Sequence, residues 1–376
     1  MKLTIQNYED PGTVLLNRDE IDALTRGNII DAPITRLKQN PDVWLLPTAM
    51  QQNGDVFLSH TLVRGDLDQL ESAEFCVVNE HLLFDTPEHL ANQNNGRHWI
   101  TNLLHVEGGV LAFLHSEYTG QDDFFGMATH IIDGAETKAP GRSSIGLAWL
   151  SAEDLAADQF TFTYLGHIAT YSANFPHYNV SGTPVLVNQI DGVEYVNIMF
   201  MDAKGSRTSD GWDKDAAFVA QARAPLELVV EKAKSGELAQ WQKRSGSDWS
   251  DAMGRRSSSA LPRVPGHPDK RIRMGDVIVH SDAAFVERLG KYVLLAYVLK
   301  RKNRLPTALV LYTSDDGLEW EYSGTEHERT DGEAGWSYAS FFDVNDDGKP
   351  YVIIGWDYGK PGRRVYKLEV DFNGEE

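Results

Sequence analysis

Four carboxylates interrupt apolar stretches of the chain at similar places. They are Glu117 in "FLHSEYTG", Asp202 in "NIMFMD", Asp282 in "VIVHSDAAF" and Asp357 in "GWDYG". An unpaired charge in an apolar strand is costly, and burial shifts a carboxyl pKa towards the range where it exchanges protons. Asp282 is the plainest case. Two of the acids have a histidine two residues earlier: His115 before Glu117, and His280 before Asp282. Residues two apart on a strand share a face. Each pair thus presents a base and an acid to the same side, which suits proton transfer. Tyr118 falls on the opposite side of a regular strand.

Aromatic residues gather in the same segments, among them Trp99, Tyr118 and Trp336. Sugar rings stack on aromatic faces, so such a rim suits a glycan; packing between sheets uses the same residues. Arg142 and the arginines of "GRRSS" could pair with an anionic group such as a uronate or sulfate, or brace loops. "DVNDDG" (343–348) has the D-x-N-x-D-G spacing of calcium loops. Asp343, Asn345 and Asp347 would give oxygens to a structural calcium, although a hairpin turn favours the same residues. No other cofactor is required. Cys76, in the apolar run "EFCVV", reads as a small core residue.

Strands must position these residues, and one unit recurs. It reads "WLLPTAMQQNGDVFLSHTL" from 44, "ITNLLHVEGGVLAFLHSEY" from 100 and "NVSGTPVLVNQIDGVEYVNIMFMD" from 179. It returns as "VIVHSDAAFVERLGKYVLLAYVL" from 277 and "WSYASFFDVNDDGKPYVIIGWDYG" from 336. Each is an apolar segment, a Gly-containing turn and a second apolar segment, the pattern of a β-hairpin. Third and fourth strands follow, as in "SIGLAWLS" and "FTFTYLGHIAT". Four strands per unit make a propeller blade. The expected fold is all-β: a single five-bladed β-propeller domain over 1–376 with four-stranded antiparallel blades. The blades fall near 44–86, 100–170, 179–250, 277–327 and 336–371. The last has three clear strands, and the N-terminal "KLTIQNYE" is placed to supply the fourth and close the ring, which removes sheet edges.

Helix signals are few. "DEIDALTRG" is one candidate. "APLELVVEKAKSGELAQW" is the better one, a short insertion near 224–241 with Pro225 at its start. Residues 245–275 read as a long loop. "TSDDGLEW" (313–320) matches the T/S-x-D-x-G-x-x-W turn of Asp-box propellers. There Asp315 is expected to cap the turn, Gly317 to take an unusual φ and Trp320 to pack between sheets.

In a blade the first strand lines the central channel and the second runs back. Starts of first strands and ends of second strands therefore share one face. So do the long segments 86–99, 119–143, 171–178, 203–215 and 245–276. Glu117, Asp202 and Asp357 end second strands, and Asp282 lies near the start of an innermost strand. Four blades thus offer carboxylates to the face where a site belongs.

The balance of 35 Lys and Arg against 55 Asp and Glu gives a net charge of −20. That surface repels phosphate backbones, which excludes nucleic acid and anionic membrane as partners. No run reaches the ~18 apolar residues of a membrane span. "MKLTIQNYEDPG" carries no basic-then-apolar leader pattern. Periplasmic, secreted and cytoplasmic locations stay equally open.

With "SIGLAWLSAEDLAADQFTFTYLGHI", "FVAQARAPLE" and "HSDAAFVERLGKYVLLAY", the five units resemble the five-bladed β-propeller glycoside hydrolases. That superfamily includes arabinanases, xylosidases, fructosidases and anhydrogalactosidases. The resemblance covers most of the chain and rests on architecture and short strand phrases. It implies a carbohydrate substrate and paired carboxylates acting across a glycosidic bond. In better-known members a catalytic Asp opens the innermost strand of blade one; in "DVWLLPTAM" the nearest acid is Asp42. The assignment that follows makes Glu117 the general acid and Asp282 the base or nucleophile. Asp202 or Asp357 would tune a pKa or hold a sugar hydroxyl. His115 and His280, with Tyr118, Trp99, Arg142 and Trp336, would bind substrate. Two other readings use the same residues. A polysaccharide lyase would use His115 and Tyr118 on a uronate, and a binding module would use the rim without chemistry.

Overall fold

The computed structural model describes residues 2–5, 13–16, 29–30, 32–52, 55–79, 83–88, 97–118, 127–132, 135–140, 142–169, 177–180, 184–204, 206–208, 211–213, 218–250, 260–262, 277–278, 281–300, 305–328, 337–346, 350–356 and 364–373. They form five small sheets arranged as the five blades of a propeller. Blade 2 runs outward through Arg97–Val106, Gly109–Tyr118, Arg142–Ser151 and Phe162–Ala169. Blade 4 does the same through Val277–Ile278 and Ala283–Val286, then Lys291–Lys300, Leu305–Ser314 and Glu321–Glu328. Blade 3 has His177–Val180 and Val185–Ile190 inside, then Val193–Lys204, Phe218–Pro225 and Gln242–Ser245. The helix Leu226–Lys234 follows its third strand.

Blade 5 holds Ser337–Phe342, Tyr351–Trp356 and Arg364–Asn373. Its outer edge is taken by the N-terminal strands Lys2–Ile5 and Thr13–Leu16, both antiparallel to Arg364–Asn373. The two ends of the chain thus share one sheet.

The core is a set of five seams. Leu111 and Phe113 of blade 2 pack with Val196, Ile198 and Phe200 of blade 3. Met199 faces the other way, with Leu294 and Ala296 of blade 4. Leu295 and Tyr297 meet Val352 and Ile354 of blade 5. Tyr351 and Ile353 meet Trp44 and Leu46 of blade 1, and Leu45 returns to Val110, Ala112 and Leu114 of blade 2. Second strands are therefore covered on both faces, so they read as unbroken apolar runs such as "VLLAY". Each fully buried large side chain contributes about 1.5–3 kcal/mol.

Blade 1 begins earlier than the hairpin at residue 44 implies. Its inner strand is Ile29–Ile30 with Thr35–Lys38, both paired with Val43–Gln52. Asp55–Arg64 and Glu74–Asn79 complete the sheet. The hairpin read as first and second strands is therefore second and third. Pro33 lies in the gap between the two inner pieces; without an N–H it cannot join the ladder. Cys76 is also not a core residue. It is exposed on the outermost strand of blade 1, beside Phe75, which is 49% exposed. The helix candidate near residue 19 lies outside the described residues.

The Asp-box turn of blade 4 is built by Asp316 rather than Asp315. Asp316 Oδ1 accepts the N–H groups of Leu318 and Glu319, both at 2.8 Å. Asp315 is exposed and pairs with Lys291. The turn docks on blade 3, where Asn188 Nδ2 donates to the Asp316 carbonyl (2.7 Å) and Gln221 Nε2 to that of Gly317 (3.1 Å). Gly317 has φ +75°, and a Cβ there would lie 2.9 Å from Leu186 Cδ1. Trp320 is buried in the same seam. Gly317→Ala is expected to destabilise the fold by about 1–2 kcal/mol, the cost of a side chain in left-handed backbone. Urea denaturation measures it, and an unchanged midpoint would contradict this account of the turn.

Candidate functional site

Asp282 sits between the two pieces of blade 4's inner strand. Its backbone carbonyl accepts the N–H of Leu295 at 3.3 Å, so it stands midway along the second strand. Its carboxylate is held from three directions. Oδ1 accepts Asn102 Nδ2 from blade 2 and the N–H of Ala283, both at 2.8 Å. Oδ2 accepts the N–H of Phe341 from blade 5 at 3.1 Å. One side chain therefore ties three blades across the axis. Burial raises its pKa, the three donors pull it back, and the balance is about 6.

Strand register sets the heights of the other candidates. Asn102 pairs with Phe113, Trp99 with His115, and Arg97 with Glu117. At about 3.3 Å per residue, His115 stands about 7 Å above the Asn102–Asp282 level and Glu117 about 13 Å above it. The rings of Trp99 and His115 lie 5.0 Å apart with a 33° tilt. Both are buried, at 3% and 9% exposure, and Trp99 packs on Ala32 of blade 1.

Glu117 and Asp202 occupy matching places near the ends of the second strands of blades 2 and 3. Glu117 pairs in register with Ser143, Tyr118 with Arg142, and Asp202 with Asn179 and Phe218. Glu117 extends the sequence series Leu111, Phe113, His115, and Asp202 extends Val196, Ile198, Phe200. Below these two acids the series pack against each other. Two hairpins follow the same strand ends. One is Met127–Ile132 with Ala135–Pro140, the other Ser206–Thr208 with Gly211–Asp213. They fall in the segments 119–143 and 203–215.

His280, Trp336, Asp347 and Asp357 lie outside the described residues. Asp343 forms an ion pair with Arg36. Asn345 Oδ1 accepts the N–H of Glu287 and its Nδ2 donates to the Phe285 carbonyl, both at 2.8 Å. These contacts brace blade 5 against blades 1 and 4. Among the described residues no group of three or more His, Cys, Asp or Glu is placed to hold a metal ion. Asp42 precedes the second strand of blade 1, on the turn side, away from the opening of the inner strand. Another acid, Asp31, falls in sequence between the two inner pieces, directly after Ile30 and before Ala32. Asp31 itself lies outside the described residues.

A polar network that no motif announced fills part of the blade 1–2 seam. His98 Nδ1 lies 2.6 Å from Ser116 Oγ, and His167 Nδ1 lies 3.0 Å from both Ser144 Oγ and Tyr164 OH. His60 Nε2 accepts the N–H of Ile100 at 3.1 Å. Burial pushes the pKa of His60 down to about 3. Burial, then neighbouring histidines, do the same to His98. On the turn side of Asp282 the channel widens into a cavity of about 590 Å³.

Fold and channel together define a five-bladed β-propeller with its polar groups gathered about the axis. No family model matches the sequence, and no relative is found among curated proteins. Solved structures do match. An α-L-arabinofuranosidase from Lactobacillus brevis is similar over 97% of this chain and 94% of its own, at 13% identity and a TM-score of 0.53. A Cellvibrio cellulosa α-L-arabinanase complexed with arabinohexaose covers 92% and 94%, at 11% identity and a TM-score of 0.49. An N-acetylgalactosamine deacetylase from F. plautii covers 90% and 89%, at 10% identity and a TM-score of 0.47.

The shifted groups predict an unusual dependence of stability on pH. His60 and His98 take up protons more readily when unfolded, so their contribution falls as pH drops from 6.5 towards 3. Asp282 acts oppositely. Its raised pKa gives stability that is full below 3.8 and lost as pH rises through about 6. Between pH 4 and 6 the three groups leave a net uptake of about one proton on unfolding. In Asp282→Asn the opposing proton is gone, so the acid loss should steepen by up to about 1.4 kcal/mol per pH unit. Denaturation at stepped pH measures the slope, and an unchanged slope would contradict the shift assigned to Asp282.

Proposed function

We propose that this protein is a glycoside hydrolase acting on a poly- or oligosaccharide at the face of the propeller that carries the strand-end acids. The observation that carries this reading is the matched placement of Glu117 and Asp202 on neighbouring blades, beside the segments that rise from those strand ends. The likeness to an α-L-arabinofuranosidase over nearly the whole chain supports it.

Glu117 is assigned as the general acid. Its height above Asp282, about 13 Å before any lateral distance is added, is greater than the 5–9.5 Å that separates paired carboxyls in glycosidases. Asp31 is therefore the better base or nucleophile. In sequence it falls between the two pieces of the inner strand of blade 1, the strand on which the resemblance puts a catalytic Asp. Its neighbour Ala32 packs on Trp99, whose ring stacks on His115, two residues before Glu117. Asp202 would hold a sugar hydroxyl or tune Glu117. Asp282 would keep the blades in register beneath the site.

Hydrolysis of this kind proceeds by proton donation to the leaving oxygen from the acid, while the second carboxylate activates water or attacks the anomeric carbon. Burial of His115 against Trp99 favours a positioning role for that ring over proton abstraction.

The test is a panel of arabinan, xylan, galactan and aryl glycosides. On any substrate cleaved by the wild type, Glu117→Gln and Asp31→Asn should each lower kcat/KM by at least about 100-fold. Asp202→Asn should act less strongly and shift the pH optimum. Near-wild-type turnover in both Glu117→Gln and Asp31→Asn would overturn the assignment. Unsaturated products absorbing near 235 nm would mean a lyase.

A further inference from the structure

We propose that the turn-side chamber of the channel is a second, non-catalytic binding site for a neutral sugar of one or two rings. The chamber of about 590 Å³ lies between the inner strands of blades 1, 2, 4 and 5, with Asp282 at its inner end. Its size falls in the range of small-molecule sites, about 300–1,000 Å³. It opens towards the hairpin turns, whereas Glu117 stands four residues along its strand on the other side of the Asn102–Asp282 hydrogen bond.

Charge, polarity and shape point to the ligand class. The charged side chains of the wall are already matched. Arg36 pairs with Asp343, and Lys38 Nζ is 2.9 Å from Asp158 Oδ1. Asp282 receives three N–H groups. An ionic ligand would have to break one of these pairs. Hydrogen-bonding capacity nevertheless remains. Ser340 and Asn102 line the same space, and Leu103, Leu155 and Phe341 supply apolar surface beside them. A sugar ring presents hydroxyls at its rim and C–H groups on its faces, which suits such a mixed wall. Nothing in this inference requires the protein to hydrolyse anything.

Ala156 gives a direct test. It is exposed on the short helix Ala152–Ala156 and borders the chamber, so Ala156→Trp adds an indole there without opening the core. D-xylose, L-arabinose, D-galactose and xylobiose would be titrated into wild type and Ala156→Trp, by calorimetry and by NMR, to count sites. The expected result is one site fewer in Ala156→Trp, with its affinity weakened at least about tenfold and turnover unchanged. The count is independent of the catalytic reading. It would go from two to one if the strand-end face also binds the sugar, and from one to zero if it does not. An equal number of sites in wild type and Ala156→Trp, or no binding of any of the four sugars to the wild type at millimolar concentration, would overturn the proposal.

Discussion

The Asp282 carboxylate takes hydrogen bonds from the side chain of Asn102 and the backbone N–H of Phe341, on two other blades. Those blades are not all neighbours in the ring. A propeller is held mainly by contacts between adjacent blades, which fix each seam but say little about the width of the channel. A carboxylate reaching across the axis fixes that width. It also divides the channel into an outer part, towards Trp99 and His115, and a turn-side chamber. The charge is tolerable there because three N–H donors replace much of the lost hydration. Its pKa of about 6 records that the replacement is incomplete.

The seams surround this tie and differ in character. Most are apolar, built from second strands whose successive residues point alternately to the blade before and the blade after. The blade 1–2 seam is different, with His60, His98, His167, Tyr164 and two serines inside it. His98 and His167 are buried against hydroxyls, whereas His60 holds the N–H of Ile100 and its Nδ1 has no partner among the described residues; burying these rings makes the seam sensitive to acid. The blade 3–4 seam uses a third device. The Asp316 turn presents backbone carbonyls to Asn188 and Gln221. Directional bonds at the seams and on the axis fix the register of blades whose apolar faces alone would permit sliding.

Much of this was legible in the sequence, for a physical reason. Second and third strands are buried on both faces, so "VLAFL", "VLLAY" and "ALVLY" stand out as apolar runs, and five of them imply five blades. Inner strands are harder to read. They border the channel, carry polar residues such as those of "TRLK" and "ITNLLH", and are divided in blades 1, 3 and 4. That is why the inner strand of blade 1 escapes the hairpin pattern that begins at residue 44. Asp282 was legible as a costly charge in an apolar setting, but its partners come from positions 102 and 341, and no local pattern reports such contacts. The choice between Asp315 and Asp316 depends on which carboxylate lies under the next two N–H groups, a matter of backbone torsion. No local pattern reports the histidine network because its members are spread over five strands.

Glu117 and Asp202 stand near the ends of second strands on neighbouring blades, and the proposed hydrolysis requires an oxygen of water to enter the product. The most direct test is cleavage of a susceptible oligosaccharide in ¹⁸O-labelled water, followed by mass spectrometry of the products. Hydrolysis predicts one ¹⁸O in the newly formed reducing-end fragment and none in the other. Cleavage without incorporation of label would contradict the account and assign the same face to elimination chemistry.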